Sequence, residues 1–424
     1  MIDFLYTPST YHRQVVAQGC FVAEISRLSS VHVKVNATLV RQYDLTYSQL
    51  GNEQPLLQTI TEKGSDGTAL PPTSFAYNPV GYPISVTAEQ WITNSSLDAN
   101  LNQNNTTVAD VNGDGLLDIV KTEQNGGSAT WKVLPHTGSS WSTTWQLWVN
   151  NAPIDAYLAH TQVRLVDVTG DSLPDIVKGA SGNWKVFRNT GTRWNTTGEV
   201  WVSQRLPSEV NLEHPRITLV DVTGDTLPDI VRTWWNGQQQ WEIYRNTGST
   251  WNTAAEVWSF SAIGQGLDDP AMRVMDVTGD GLADLVWTTF SGTNATWYVW
   301  KNHGKGWNPE SEHWISNANI DAHFLKDTVT VTDVTGDGLP DIVKAIDSFD
   351  TADSWQVLLN LGNRWATTWQ TWIAPASNVG LDTRYVRIAD ATGDGIADVI
   401  DGHPDGNTRV TCGSIRIVPK RRIS

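Results

Sequence analysis

The sequence predicts an all-β chain: a β-propeller of six four-stranded blades preceded by a short β-strand module. Two observations predict it. An acidic nonapeptide recurs six times, at intervals of 57, 54, 55, 57 and 57 residues, and Trp recurs in phase with it. A third is an absence: no stretch sustains a 3.6-residue apolar period, so helices are not expected.

The module is expected over residues 1–83. Val31 to Val35 and Leu39 to Tyr47 alternate apolar and polar residues around Asn36-Ala37, which is a hairpin pattern. Ser65-Asp66-Gly67 and Pro71-Pro72 are turn signals. The segment reads as a small β module, or as the last strands of a sandwich-like region.

The propeller is expected over residues 84–424. Its nonapeptide begins at Asp110, Asp167, Asp221, Asp276, Asp333 and Asp390. A short alternating run precedes each copy and an apolar pair follows it, as in Ile119-Val120 and Ile176-Val177. A Trp-x-Val/Ile strand begins at Trp131, Trp184, Trp241, Trp297 and Trp355. An Asn-x-Gly turn follows at Asn189, Asn246, Asn302 and Asn360, with His136 in the first copy. A second Trp ladder runs through 141, 194, 251, 307 and 365, and a third lies seven residues further on. Each unit thus holds four short β-prone runs separated by turns, the pattern of a propeller blade whose faces its neighbours must bury.

The sixth unit lacks the late Trp strands, and the segment around Trp91 supplies only a late-strand piece. Joined, they make one closing blade from both ends of the chain. Seven blades, completed by residues beyond Ser424, is the competing count.

Composition narrows the function. The chain of 424 residues carries 45 acidic and 29 basic side chains, a formal charge of −16. A net acidic chain lacks the basic footprint of a nucleic-acid binder. No run reaches the roughly 18 apolar residues that span a membrane. Met1 to Gly19 shows no basic segment leading into an apolar core, so no signal peptide is expected there. Cys20 and Cys412, the two cysteines, cannot form a disulfide framework or a CxxC zinc site.

The nonapeptide places Asp at positions 1, 5 and 9, Asn or Thr at 3, and usually Gly at 6. Three carboxylates in nine residues repel each other in an empty loop. Hard oxygens at alternating positions around a sharp turn are what Ca²⁺ requires, with a backbone carbonyl at position 7 as a further ligand. The expected ligand sets are Asp110, Asn112, Asp114, Leu116 and Asp118; Asp167, Thr169, Asp171, Leu173 and Asp175; Asp221, Thr223, Asp225, Leu227 and Asp229; Asp276, Thr278, Asp280, Leu282 and Asp284; Asp333, Thr335, Asp337, Leu339 and Asp341; and Asp390, Thr392, Asp394, Ile396 and Asp398. Up to six ions would take the formal charge from −16 to −4. The bland alternative is an Asx-type turn closed by its own hydrogen bonds. Ser172 and Thr226 stand at position 6, where a Cβ penalises positive φ, so their loops are expected to bind most weakly.

These residues resemble the FG-GAP/VCBS repeat family, whose units carry DxDxDGxxD-type calcium loops in propeller blades. DVNGDGLLDIV (110–120) and DVTGDGLPDIV (333–343) carry the likeness, which spans about residues 84–400. Thr at position 3 departs from the pattern. Residues 32–77 are similar to the segment before the propeller in Rhs-type and toxin-complex B-subunit (SpvB-type) bacterial proteins. That resemblance implies a secreted or surface setting, with the propeller as one wall or gate of a larger toxin or Rhs shell that would be its protein partner. The chain itself holds no Rhs YD-repeat shell and no cargo domain.

No catalytic motif stands out, and a non-enzymatic scaffold, docking or gating module is expected. A multivalent glycan-binding propeller is the alternative, and a sugar lyase or hydratase the third reading. For the Trp ladders, blade packing is the preferred reading over sugar stacking. Trp145, Trp234, Trp235, Trp287, Trp300 and Trp369 lie off the ladders and are the better surface candidates. His160 and His214, at equivalent places in adjacent blades, read as turn residues rather than a proton-transfer pair. An apolar-plus-Asp pair recurs between blades, as in Leu97-Asp98, Ile154-Asp155, Leu267-Asp268, Ile320-Asp321 and Leu381-Asp382. It reads as an apolar anchor with a turn-capping carboxylate, against a ligand-binding ring.

Overall fold

The computed structural model describes residues 2–17, 20–49, 55–74, 89–92, 97–258, 264–316, 319–346, 353–377, 386–391, 393, 397–401, 404–405, 409–410 and 412–415. The chain divides into two compact units, one holding Met1–Tyr82 and the other Pro83–Ile417.

The first unit is an antiparallel meander of Ile2–Ala17, Cys20–Val35, Thr38–Gln49, Pro55–Gly64 and Thr73–Ser74, paired in chain order. The turn at Asn36 and Ala37 has φ of 49° and 65°, the left-handed pair that matches the twist of a two-residue hairpin. The strands run well past the predicted hairpin. The described residues of this unit form one sheet, without the second layer of a sandwich. Asp44 ties its middle strands together, accepting from Ser30 Oγ (2.9 Å) and pairing with Lys63 (2.7 Å).

The second unit holds six four-stranded antiparallel sheets. Blade 1 comprises Thr106–Ala109, Asp118–Asn125, Ser128–Leu134 and Gln146–Ala152. Blades 2 to 5 follow in the same order over residues 163–202, 217–257, 272–315 and 329–377. Blade 6 joins Val386–Ala389, Asp398–Asp401 and Cys412–Ile415 to Glu89–Ile92 from the front of the unit. The closing blade is therefore built from both ends, and the count is six.

Six apolar clusters sit between successive blades, one per junction. The junction of blades 6 and 1 joins Ile400 and Ala391 to Ile119 and Leu134. Arg387 there donates to the Leu101 carbonyl across 286 residues of sequence (3.0 Å). The ring is closed, and no seventh blade is needed.

The Trp ladders build these junctions. In blades 2 to 5 the second-ladder Trp inserts between the first- and third-ladder Trp of the preceding blade. Trp194 lies 5.1 Å from Trp131 and 4.9 Å from Trp148, and Trp251 lies 5.2 Å from Trp184 and 4.9 Å from Trp201. The tilted geometry suits the quadrupoles of facing indoles. Each second-ladder N–H also finds an acceptor: Trp194 and Trp251 donate to the Pro174 and Pro228 carbonyls of their own nonapeptides (both 3.0 Å). Packing consumes the ladders. Of the off-ladder set, Trp235 is exposed, whereas Trp300 is buried at the junction of blades 3 and 4 and is no surface candidate.

Candidate metal centre

Each nonapeptide links the first strand of a blade to the second, and in blades 1 to 5 its geometry is nearly the same from copy to copy. The position-1 carboxylate folds back over the turn. Asp110 accepts from the N–H of Gly113 and of Gly115, each at 2.8 Å. Asp276 repeats this with Gly279 and Gly281, and Asp333 with Gly336 and Gly338. The position-5 carboxylate accepts from the position-7 N–H, as Asp114 does from Leu116 (2.9 Å). At position 3, the hydroxyls of Thr169, Thr223, Thr278 and Thr335 lean on the position-1 carboxylate at 3.3–3.5 Å. Asn112 instead accepts from the Asp114 N–H and donates to its carboxylate.

The position-9 carboxylate is different. Asp118, Asp175, Asp229, Asp284, Asp341 and Asp398 are all fully buried. In blades 1 to 5, one oxygen accepts from the position-2 N–H and the other from the backbone N–H of the His136 or Asn-x-Gly residue. For Asp341 these donors are Val334 (3.2 Å) and Asn360 (2.8 Å). Burial, reinforced by the nearby position-1 and position-5 carboxylates, pushes Asp118 and Asp175 up to about 6, Asp229 to about 7, and Asp284 and Asp341 to about 8.

The Asn of that turn then reaches the loop of the preceding blade. Asn189 Nδ2 donates to the Val111 carbonyl in blade 1, and Asn246, Asn302 and Asn360 reach Val168, Val222 and Val277 in the same way, at 2.8–2.9 Å. Neighbouring loops also touch through position 7. A Cβ at Gly113 would lie 3.0 Å from Leu173 of the next blade, and one at Gly393 only 2.7 Å from Leu116. Position 4, at positive φ in every loop, must therefore be Gly for two reasons. Neither the Asn staple nor the position-4 requirement was read from the sequence. A fixed Gly four residues into each copy was the available signal.

Ser172 and Thr226 sit at φ of 68° and 71°, as the Gly they replace would. Left-handed backbone costs a residue with a Cβ roughly 1–2 kcal/mol, and Gly gives back part of this through unfolded-chain entropy. Ser172→Gly and Thr226→Gly should each stabilise the chain by about 0.5–1 kcal/mol, read as a higher midpoint in urea melts.

The donor chemistry suits a hard cation: clustered carboxylates, a neutral oxygen and a tight turn. In the arrangement described, though, these groups are turned onto backbone N–H groups. No three His, Cys, Asp or Glu side chains among the described residues converge as a metal site. Thr392, Asp394 and Ile396 lie outside the described residues.

The remaining candidates resolve into structural roles. His160 and His214 each accept from the N–H two residues ahead, closing a turn. Leu97, Ile154 and Ile320 are buried anchors. Their Asp partners form ion pairs rather than caps: Asp98 with Lys121, Asp155 with Lys178, and Asp321 with Lys326 and Lys344. Lys121, Lys178 and Lys344 all follow the apolar pair of the second strand, a phase visible in the sequence but not used. Leu381-Asp382 lies outside the described residues.

The FG-GAP-like repeat family matches residues 221–287, 276–344 and 333–400. Comparison with curated proteins returned no match. Among solved structures, the Photorhabdus luminescens Tc holotoxin pore matches over 97% of this chain at 21% identity, with a TM-score of 0.61. The TcdB2-TccC3 complex without its hypervariable C-terminal region matches over 98% at 19% identity, with a TM-score of 0.48. The chain spans 19% of the length of each. An Agrocybe aegerita lectin that recognises non-reducing terminal N-acetylglucosamine matches over 88% of this chain and 90% of its own, at 20% identity and a TM-score of 0.46. The likeness to the holotoxin is one of fold.

Proposed function

We propose that this FG-GAP-repeat propeller, which resembles toxin-complex proteins, is a non-catalytic scaffold and docking module of a larger secreted or surface-delivered bacterial assembly. One observation carries the reading. The acidic, amide and indole groups that recur from blade to blade are spent, among the described residues, on closing turns and joining strands and blades, so the repeat builds a rigid ring rather than a reaction centre. The likeness in fold to the Tc holotoxin pore supports the assembly context. Co-expression with the products of its flanking genes tests it. A stable complex through the propeller is expected, and a chain that co-elutes with none of them would reject the docking role.

Calcium in the loops belongs to the same proposal. Asp, Asn or Thr side chains at positions 1, 3, 5 and 9 and the position-7 carbonyl would hold it. The ion would supply charge compensation and rigidity. A ligand bound only by the folded state stabilises by mass action, so melting should be several degrees lower in excess chelator than in calcium. Equal melts with no metal by elemental analysis would end the calcium reading.

pH separates the two states further. A carboxyl whose folded pKa is raised favours its neutral form. Its contribution is present below the ordinary value near 4 and lost as pH rises through about 6 to 8. In chelator, stability should therefore fall from pH 5 to pH 8. Calcium favours the ionised form and should flatten or reverse that slope.

A further inference from the structure

The Trp ladders are buried in blade packing, so any ligand site must rest on other residues. At the end of the blades opposite the nonapeptides, a cleft of about 470 Å³ opens between blades 1 and 2. It is lined by Asn102, Gln103, Asn104 and Asn105 from the approach to blade 1, Thr122 and Gln124 from its second strand, and Tyr157 from the approach to blade 2. We propose that this cleft is a binding site for one neutral saccharide unit.

Three features carry the assignment. The lining is uncharged and holds five side-chain amides. An amide presents an acceptor and donors side by side, which matches the adjacent hydroxyls of a sugar. Lys121, next to Thr122 in the second strand, is held by Asp98 and by Gln103 Oε1 (3.0 Å), so it offers no anion site. Second, part of the lining is already fixed. Gln103 is locked between Asp98 and Lys121, and Asn105 donates to the Thr122 carbonyl (2.8 Å). Little ordering is left to oppose binding. Third, Asn102 Oδ1 is buried with no hydrogen-bond partner. An orphaned buried acceptor is costly, and a turn of the Asn102 amide toward the cleft it lines would pair it with a ligand hydroxyl. Tyr157, half-buried and set edge-on to His160 at 5.3 Å, adds the apolar plate that a sugar ring stacks on.

The cleft does not repeat. The positions matching Asn102 to Asn105 read Glu213-His214-Pro215-Arg216 in blade 3 and Leu325-Lys326-Asp327-Thr328 in blade 5. One site per chain is expected, unlike a ladder-based lectin.

The test is titration of the intact chain with methyl glycosides of neutral hexoses and N-acetylhexosamines, at up to millimolar concentration and followed by saturation-transfer NMR and calorimetry. At least one glycoside should bind with a stoichiometry of one. Tyr157→Ala and Asn104→Ala should each weaken it tenfold or more, and Trp235→Ala should leave it unchanged. Asn102→Ala should weaken binding without lowering the melting temperature, because it removes an acceptor with no partner in the fold. Absence of binding across the panel would overturn the proposal. So would several sites per chain, or affinity that survives Tyr157→Ala and Asn104→Ala in variants with wild-type melts. None of these outcomes bears on the scaffold role.

Discussion

Trp251→Ala should destabilise the propeller by about 3–5 kcal/mol, the cost of deleting a large buried aromatic. Trp251 is 1% exposed and stands between Trp184 and Trp201 of the preceding blade. Its removal opens a void at the junction of blades 2 and 3 and frees the Pro228 carbonyl that its Nε1 now serves. A cored interior cannot collapse across a ring whose other five junctions hold the blades in place. Trp235→Ala is the control: that indole is 59% exposed, and its loss should fall within about 0.5 kcal/mol of neutral. Urea melts followed by Trp fluorescence measure both. Equal effects would mean that the ladders are not the packing element.

Asp341→Ala is the second large effect, about 2–6 kcal/mol. It leaves the Val334 and Asn360 N–H groups without an acceptor in a fully buried place, at roughly 1–3 kcal/mol each. Asp341→Asn keeps one acceptor oxygen and should lose about half as much. Both losses should persist in excess chelator, because they come from backbone donors. Asp337→Asn, at position 5, makes the contrast. It should be nearly silent in chelator and should remove part of the calcium-dependent rise in melting temperature. If Asp341→Ala were harmless in chelator, the buried carboxylate would not be a backbone anchor.

Much of this fold was legible because its signals are local. A two-residue turn at Asn36-Ala37, a nonapeptide with Asp at fixed offsets, and Trp at constant phase each reflect backbone geometry repeated within a few residues. Even ring closure was readable, since the strands missing after Arg387 match the surplus around Trp91. The site was legible only in part. The spacing of the carboxylates marked the loops, but it does not distinguish an oxygen aimed at a cation from one aimed at an N–H group. Both uses need the same residues at the same offsets.

The sequence by itself determined the strand content, the repeat and the places where acidic side chains gather, and it left six blades or seven for the structure to decide. Tertiary structure alone decided what those groups touch. Asn189 meets Val111, and Asn360 meets Val277, at separations of 78 and 83 residues. The residues that line the cleft beside Tyr157 come from the approaches to two blades. Such contacts depend on how far one blade rotates and translates relative to the next, and no periodicity along the chain records that. Packing of the indole plates sets this displacement. It therefore also sets which carbonyl each Asn reaches and which Gly each position-7 Leu covers.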